Sequence, residues 1–393
     1  MQVDLSSLSG VWNYPTEVRF GVGRIAELAE TCTRVGMARP MLVTDPGLAG
    51  SPMIADAVSA LEAAGLATEL FSDMQPNPLA ENVSAGVAAY RAGGHDGVIA
   101  FGGGSALDVG KTIAFMSGQS RPLEDFEDIG DNWRRADPDG IAPVVAVPTT
   151  AGTGSEVGRA TVIADGAGGR KRILFHPAMM PRAVIADPEL TVGLPPALTA
   201  ATGMDALTHN LEAYFAPGFH PLAEGIAVEG VRLTFECLER AYADGADLHA
   251  RAAMLAAASM GATAFQKGLG GVHSISHAVG GLYGTHHGLT NAVVLPYVLM
   301  HNRAAIAEKA TALARYIDLP QPEYDSFLRA VLDLRASLDI PHTLGALGVD
   351  AARADEVAAL AYDDPTRPGN PIPLSEDDLR DIFIAAVDGR LDA

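Results

Sequence analysis

Cysteine is nearly missing from this chain of 393 residues: Cys32 and Cys237 are its only two. Two thiols build neither a disulfide framework nor a four-thiolate metal site. Both lie among apolar neighbours in helix-like sequence, so packed, reduced thiols are expected. Positive charge is also scarce. Lys and Arg total 27 against 48 Asp and Glu, a formal charge of -21. With no basic run, a phosphate backbone would find few cations to neutralise it, which excludes nucleic acid as a partner. No run of about 18 uncharged apolar residues occurs, so no membrane span is expected. The opening Met1-Gln2-Val3-Asp4-Leu5 lacks the basic stretch and apolar core of a secretory leader. These absences point to a soluble, cytoplasmic protein.

Hydrophobic residues make up 48% and charged residues 19%, a globular composition, and the length suggests two domains. Short β-branched runs mark strands at Met41–Thr44, Ala67–Phe71, Gly97–Phe101, Val144–Val147 and Val184–Ala186. Helix-like stretches such as Ser51–Ala64 and Leu79–Ala92 lie between several of them. Such alternation favours a parallel sheet wrapped by helices. After Asp187-Pro188 the texture turns to Ala- and Leu-rich helical pattern, including the stretch before Ala264. The expected division is an α/β nucleotide-binding domain over 1–190 and an all-helical domain over 191–393.

Two glycine-rich turns compete as a phosphate cradle. Gly21-Val22-Gly23-Arg24-Ile25-Ala26 follows a strand-like Val18–Phe20, but a lone pattern of this type is weak. Val98–Phe101 runs into Gly102-Gly103-Gly104-Ser105 and a helix-like Ala106–Met116. There the backbone can approach a pyrophosphate, with the first free N–H groups of a helix aimed at it. A plainer reading of Ser105-x-x-Asp108 is a capping box, and Lys111 reads equally well as a surface partner of Asp108. Asp45, in Val43-Thr44-Asp45-Pro46-Gly47, suits ribose hydroxyls and would disfavour a 2′-phosphate, or is simply a turn former. Pro148–Glu156, rich in hydroxyls and glycine, suits a loop that holds cofactor or substrate.

Of eleven histidines, His273, His277, His286 and His287 crowd together. Upstream, Asp205 and His209 stand one helical turn apart, as do His273 and His277, so each pair shares a face able to grip one cation. Singly, each residue is as well explained as a core histidine or a cap. Ser274 follows His273, so the His-Glu-x-x-His protease pattern is absent. A carboxylate with imidazoles suits Fe(II) or Zn(II), and also Mn, Co or Ni.

With these segments in order, the chain resembles the iron-containing, group III alcohol dehydrogenases, related in fold to glycerol dehydrogenase and dehydroquinate synthase. The resemblance rests on Gly102–Lys111, Pro148–Glu156, Asp187–Leu190, Ala200–His209 and His273–Gly288. It implies a divalent metal, Fe(II) first and Zn(II) second, held by Asp205, His209, His273 and His287. His277 then stands beside the metal in proton transfer or nicotinamide positioning, and His286 has no role. For NAD the resemblance points to Asp45, Asn77, Gly103, Gly104, Ser105, Asp108, Thr149, Thr150, Thr153 and Lys171. It demotes Gly21–Ala26 to a structural turn. Arg159 departs from the family pattern, either biasing substrate charge or facing solvent.

The expected activity is reversible hydride transfer between NAD(H) and a small alcohol or aldehyde, by a homo-oligomer, in a cleft between the two domains. One alternative is a dehydroquinate synthase-like lyase using NAD and a metal; the His273–Gly288 region lacks the basic cluster a phosphorylated substrate needs. The other is a non-catalytic NAD-binding protein.

Overall fold

The computed structural model describes residues 10–12, 16–164 and 171–391, so Met1–Leu5 lies outside the described residues. Packing divides the chain into two compact units. One comprises residues up to Thr150 together with Gly154–Gly193; the other comprises Ala151–Thr153 and residues from Leu194 onward.

The first unit holds strands β1 (Gly10–Trp12), β2 (Glu17–Phe20), β3 (Pro40–Val43), β4 (Glu69–Phe71), β5 (Gly97–Gly102), β6 (Val144–Pro148), β7 (Ala160–Ala164), β8 (Lys171–Phe175) and β9 (Ala183–Ala186). Its helices are α1 (Leu28–Arg34), α2 (Pro46–Ala49), α3 (Pro52–Ala63), α4 (Ala80–Gly93) and α5 (Gly104–Met116). Seven strands form one sheet in the order β1-β2-β9-β6-β5-β3-β4, while β7 and β8 make a separate antiparallel hairpin. Only the β1–β2 pairing in the large sheet is antiparallel. Strands β5 and β6 are buried at every residue. That is why their sequences are unbroken apolar runs rather than alternating ones.

From β3 the chain moves outward to β4, then returns to lay β5 against the other side of β3. At such a reversal the loops leaving the carboxyl ends of neighbouring strands diverge and open a crevice. The two loops at this point carry Asp45, after β3, and Gly102–Ser105, after β5. Gly102 has φ +149°, and an added Cβ would sit 2.7 Å from the Ala106 Cβ, so the strand-to-helix turn requires glycine. Gly21–Ala26 is a turn into a short 3-10 helix, tied down by the Ile25 amide donating to Asp187 Oδ2 at 2.9 Å.

The second unit is helical: α6 (Pro196–Phe215), α7 (Pro221–Ala243), α8 (Leu248–Ala264), α9 (Gly271–Tyr283), α10 (His287–Tyr316), α11 (Tyr324–Ser337), α12 (Ala354–Asp363) and α13 (Glu376–Asp388). Helix α6 is buried on nearly every side and packs against α7, α8 and α10, as expected for a helix that is apolar all round. Its Asp205 and His209 are therefore interior groups. His286 caps α10, its Nδ1 accepting from the Leu289 amide at 3.4 Å. At Gly288 an added Cβ would drive into the Ala201 carbonyl and approach the Asp205 Cβ to 3.1 Å. Glycine thus lets the start of α10 close on α6, bringing His287 toward Asp205.

Cys32 and Cys237 are free and buried, and burial pushes their thiols up to about 12 and about 11. They are packed, unreactive groups. Among the described residues no helix is long and apolar enough to cross a membrane.

Candidate functional site

In the helical unit, α6 supplies Asp205 and His209 from adjacent turns, α9 supplies His273 and His277, and α10 supplies His287 at its first position. Asp205 Oδ1 lies 3.6 Å from His287 Nε2, 3.9 Å from His273 Nε2 and 3.9 Å from His209 Nε2. Ligand bonds of about 2.0–2.2 Å in a tetrahedral set place donor atoms roughly 3.3–3.6 Å apart, close to these spacings. One donor atom each from Asp205, His273 and His287 lie mutually within 4.8 Å. His209 stands outside that tightest group, stacked on the His273 ring at 4.6 Å between centroids.

The groups around these rings set their tautomers. His273 Nδ1 donates to Glu212 Oε2 at 2.5 Å, and Glu212 Oε1 accepts the Val272 amide at 2.8 Å. Glu212 thereby caps the start of α9 while orienting the imidazole that follows. His287 Nδ1 lies 3.2 Å from Ser276 Oγ. Asn291, one turn beyond His287, places Nδ2 at 2.7 Å from Asp205 Oδ1, 3.3 Å from His273 Nε2 and 3.2 Å from His287 Nε2. An amide nitrogen offers hydrogens only, two in number: with one on Asp205 Oδ1, the other lies toward the two Nε2 atoms, which face it as acceptors when each ring carries its proton on Nδ1. That is the form in which Nε2 keeps a lone pair for a cation.

The electrostatics suit a cation. Asp205 is 3% and Glu212 8% exposed, and among the described residues their ionic neighbours are imidazoles rather than Lys or Arg. Burial pushes His209 down to about 4, so its ring is neutral near pH 7. For His273, burial acts to lower the pKa, but the charge and hydrogen bond of Glu212 outweigh it and the net shift is upward. Buried anionic charge with imidazole Nε2 atoms turned toward it forms a donor set that fits a divalent ion.

His277 is turned to a different partner. Its Nδ1 donates to Asp364 Oδ2 at 2.9 Å, and its ring stacks on His287 at 5.3 Å between centroids. Asp364 Oδ1 in turn accepts the Thr366 amide at 2.9 Å and the Thr366 hydroxyl at 2.5 Å. Burial acts to raise the Asp364 carboxyl; the His277 and Thr366 contacts prevail and hold it below the usual carboxylate range.

In the sheet unit, Gly103 is the N-cap of α5, and Gly104 and Ser105 begin the helix with no side chain capping it. The capping-box reading is thus overturned: Asp108 turns away from the helix start. Its Oδ1 accepts the Ser155 hydroxyl at 2.6 Å and its Oδ2 the Val162 amide at 2.9 Å. Lys111, read from sequence as a possible surface partner, is 1% exposed. It donates to the carbonyls of Ser155, Gly158 and Ala160 at 2.9, 3.3 and 2.7 Å. Burial pushes its ammonium down to about 8, so it is still charged at neutral pH, with one proton for each carbonyl. Together the two side chains lash the segment after the Pro148–Glu156 loop to α5.

Asp45 caps α2 by accepting the Gly47 and Leu48 amides at 2.9 and 3.2 Å through Oδ1, with Oδ2 beside Gly102. The Thr149 amide donates to the Gly102 carbonyl at 3.0 Å, and Thr150 packs over Gly103. Asn77 holds a left-handed φ of 55°. Lys171 pairs in register with Ala164, whose amide donates to the Pro78 carbonyl. Thr153 belongs to the helical unit's packing. Arg159 is exposed and lies over the Phe175 ring at 5.5 Å.

A parallel sheet with a nucleotide-type reversal and a buried carboxylate–imidazole centre define a metal-dependent, dinucleotide-linked enzyme. Comparison with known proteins makes this specific. The "Iron-containing alcohol dehydrogenase" family model matches residues 15–188, and "Fe-containing alcohol dehydrogenase family, C-terminal" matches 199–387. The chain belongs to the iron-containing alcohol dehydrogenase family. It is 40% identical to a 4-hydroxybutyrate dehydrogenase of Cupriavidus necator over 93% of this chain and 97% of that protein. It is 33% identical to an NAD-dependent methanol dehydrogenase of Bacillus methanolicus over 92% of this chain and 96% of the other. The solved structure of a 1,3-propanediol oxidoreductase superposes with TM-score 0.90 at 33% identity, covering 98% of this chain and 100% of that one. The activity is that of an NAD-dependent alcohol dehydrogenase of the iron-containing type, and the lyase alternative is not favoured.

Proposed function

We propose that this enzyme interconverts a short alcohol bearing a terminal hydroxyl and its aldehyde, with Asp205, His209, His273 and His287 holding one divalent ion and His277 moving the hydroxyl proton. The carrying observation is the approach of three imidazole Nε2 atoms to within 3.6–3.9 Å of one buried carboxylate oxygen. The substrate class is supported by the relatives' names, which include 4-hydroxybutyrate, methanol and 1,3-propanediol.

When bound, the metal supplies Lewis-acid stabilisation of negative charge on the substrate oxygen, and NAD takes up the hydride. The chain does the rest. The Glu212 and Ser276 contacts favour the proton on Nδ1 of His273 and His287, which orients Nε2 of each ring toward the ion they would hold. Asp364 fixes the His277 proton on Nδ1 in the same way, leaving Nε2 to accept the proton released by the alcohol or return it to the aldehyde. The uncapped N–H groups of α5 at Gly103–Ser105, with Thr149 and Thr150 beside them, receive the pyrophosphate, and Asp45 the ribose. Asn77, Thr153 and Lys171 complete the cofactor set. Asp108 acts in it by holding the neighbouring segment through Ser155 and Val162. The domain boundary at 190/191, a cytoplasmic location and a homo-oligomer belong to the same proposal; the two buried, free thiols accord with a reducing compartment.

Metal removal tests this reading. Protein stripped with a chelator is expected to lose NADH-linked reduction across a panel of short aldehydes and to regain it with one equivalent of Fe(II) or Zn(II). Full turnover by rigorously metal-free protein would refute it.

A further inference from the structure

Asn291 has no part in the ligand set just described, yet its side chain meets three of the four donors. It is fully buried on α10, one turn from His287 and on the same face. Its Nδ2 reaches Asp205 Oδ1 at 2.7 Å and the His273 and His287 Nε2 atoms at 3.3 and 3.2 Å. Its Oδ1 is buried with no hydrogen-bond partner among the described residues. A buried amide oxygen without a donor is costly, so this orientation needs a compensating reason. The three atoms it meets supply one. Two of them are imidazole Nε2 atoms that face it as acceptors, the third is a carboxylate oxygen, and the contacts to Asp205 Oδ1 are 3.6 and 3.9 Å. Lone pairs held so close repel unless a donor or a cation lies among them.

We infer that Asn291 is a positioning residue of the metal centre: one amide hydrogen holds the Asp205 carboxylate in ligating orientation and the other lies toward the His273 and His287 Nε2 atoms. This rests on the metal assignment of the preceding section. An amide suits the task because it donates two hydrogens without carrying charge, so it draws acceptors together yet yields to a divalent cation. A Lys in its place would bring a permanent positive charge and compete with the metal. Leu in its place would fill the volume but leave the acceptors to spread apart.

The test is a competition titration of metal-free protein with Zn(II) against a chromophoric chelator, for the unaltered chain, Asn291→Leu, Asn291→Asp and His273→Ala. Asn291→Leu is expected to bind Zn(II) roughly 10–100-fold more weakly, the usual effect of losing a group that orients a ligand. Affinity within twofold of the unaltered chain would overturn the inference, since Asn291 would then be filler. Tighter binding would also overturn it, since the amide would then be a competitor of the metal. Asn291→Asp guards against a failure of the leucine variant to fold. It places a second carboxylate against Asp205, so its metal-free Tm should fall while the Tm gain on adding Zn(II) exceeds that of the unaltered chain. An unchanged gain would count against the positioning role. His273→Ala separates the two claims: if it binds Zn(II) as tightly as the unaltered chain, the metal assignment itself fails, whereas retained affinity in Asn291→Leu alone sinks only the role of Asn291.

Discussion

Replacing His273 with alanine is expected to remove tight metal binding and activity together, with kcat/KM falling by roughly a thousandfold or more. The size follows from what is lost. Stabilisation of developing oxygen charge by a divalent ion is worth several kcal/mol, and each ~1.4 kcal/mol is tenfold in rate. His273 is the best secured of the imidazoles, 1% exposed, hydrogen-bonded through Nδ1 to Glu212 and facing Asp205 through Nε2. Its removal also strands the Glu212 carboxylate, whose other oxygen caps α9. Metal content by elemental analysis and steady-state NADH oxidation should therefore drop in parallel. A variant that turns over without metal contradicts the ligand assignment.

The second large effect belongs to His277 and Asp364. His277→Ala is expected to lower kcat by about 10²–10⁴, the range for a positioned acid or base, with the metal content of the protein unchanged. Asp364→Asn should reproduce part of that loss. An amide in place of the carboxylate can offer a hydrogen to His277 Nδ1, which moves the ring's own proton to Nε2 and blocks the atom that has to accept one. Asp364 Oδ1 would keep its Thr366 contacts, so the variant separates the tautomer from the fold of the loop. Loss of metal in either variant, or kcat within threefold of the unaltered enzyme for both, would remove His277 from the proton path.

Much of this was legible because it is local in sequence. The parallel strands β3, β5, β6 and β9 declare themselves as unbroken apolar runs, since both faces of such strands are buried. The proposed metal ligands stand out as Asp205/His209 and the His273–His287 cluster, because helical spacing of one turn puts side chains on one face. The same rule would have found two residues that went unread. Glu212 lies two turns beyond Asp205 on α6, and Asn291 one turn beyond His287 on α10, each on the stripe that faces the centre. Polar type at the right spacing was the available sign.

Other features are non-local and have no such sign. Asp364 meets His277 across 87 residues of chain, and nothing in its Asp-Asp-Pro-Thr surroundings distinguishes it from a turn. Lys111 misled for a related reason. At the surface its spacing from Asp108 would make an ordinary pair, yet the fold buries it against the carbonyls of Ser155, Gly158 and Ala160, and burial is a property of tertiary packing. Ser105 and Asp108 fit a capping box by pattern, but the helix starts at Gly104 and Asp108 is drawn to Ser155 and Val162.

Anomalous diffraction at the iron edge, on crystals of the protein loaded anaerobically with Fe(II), addresses the metal centre directly. The account predicts one strong peak per chain, within about 2.0–2.2 Å of an Asp205 oxygen and of Nε2 of His209, His273 and His287. A peak bound by other side chains, or iron retained in solution with no density at Asp205, would contradict it.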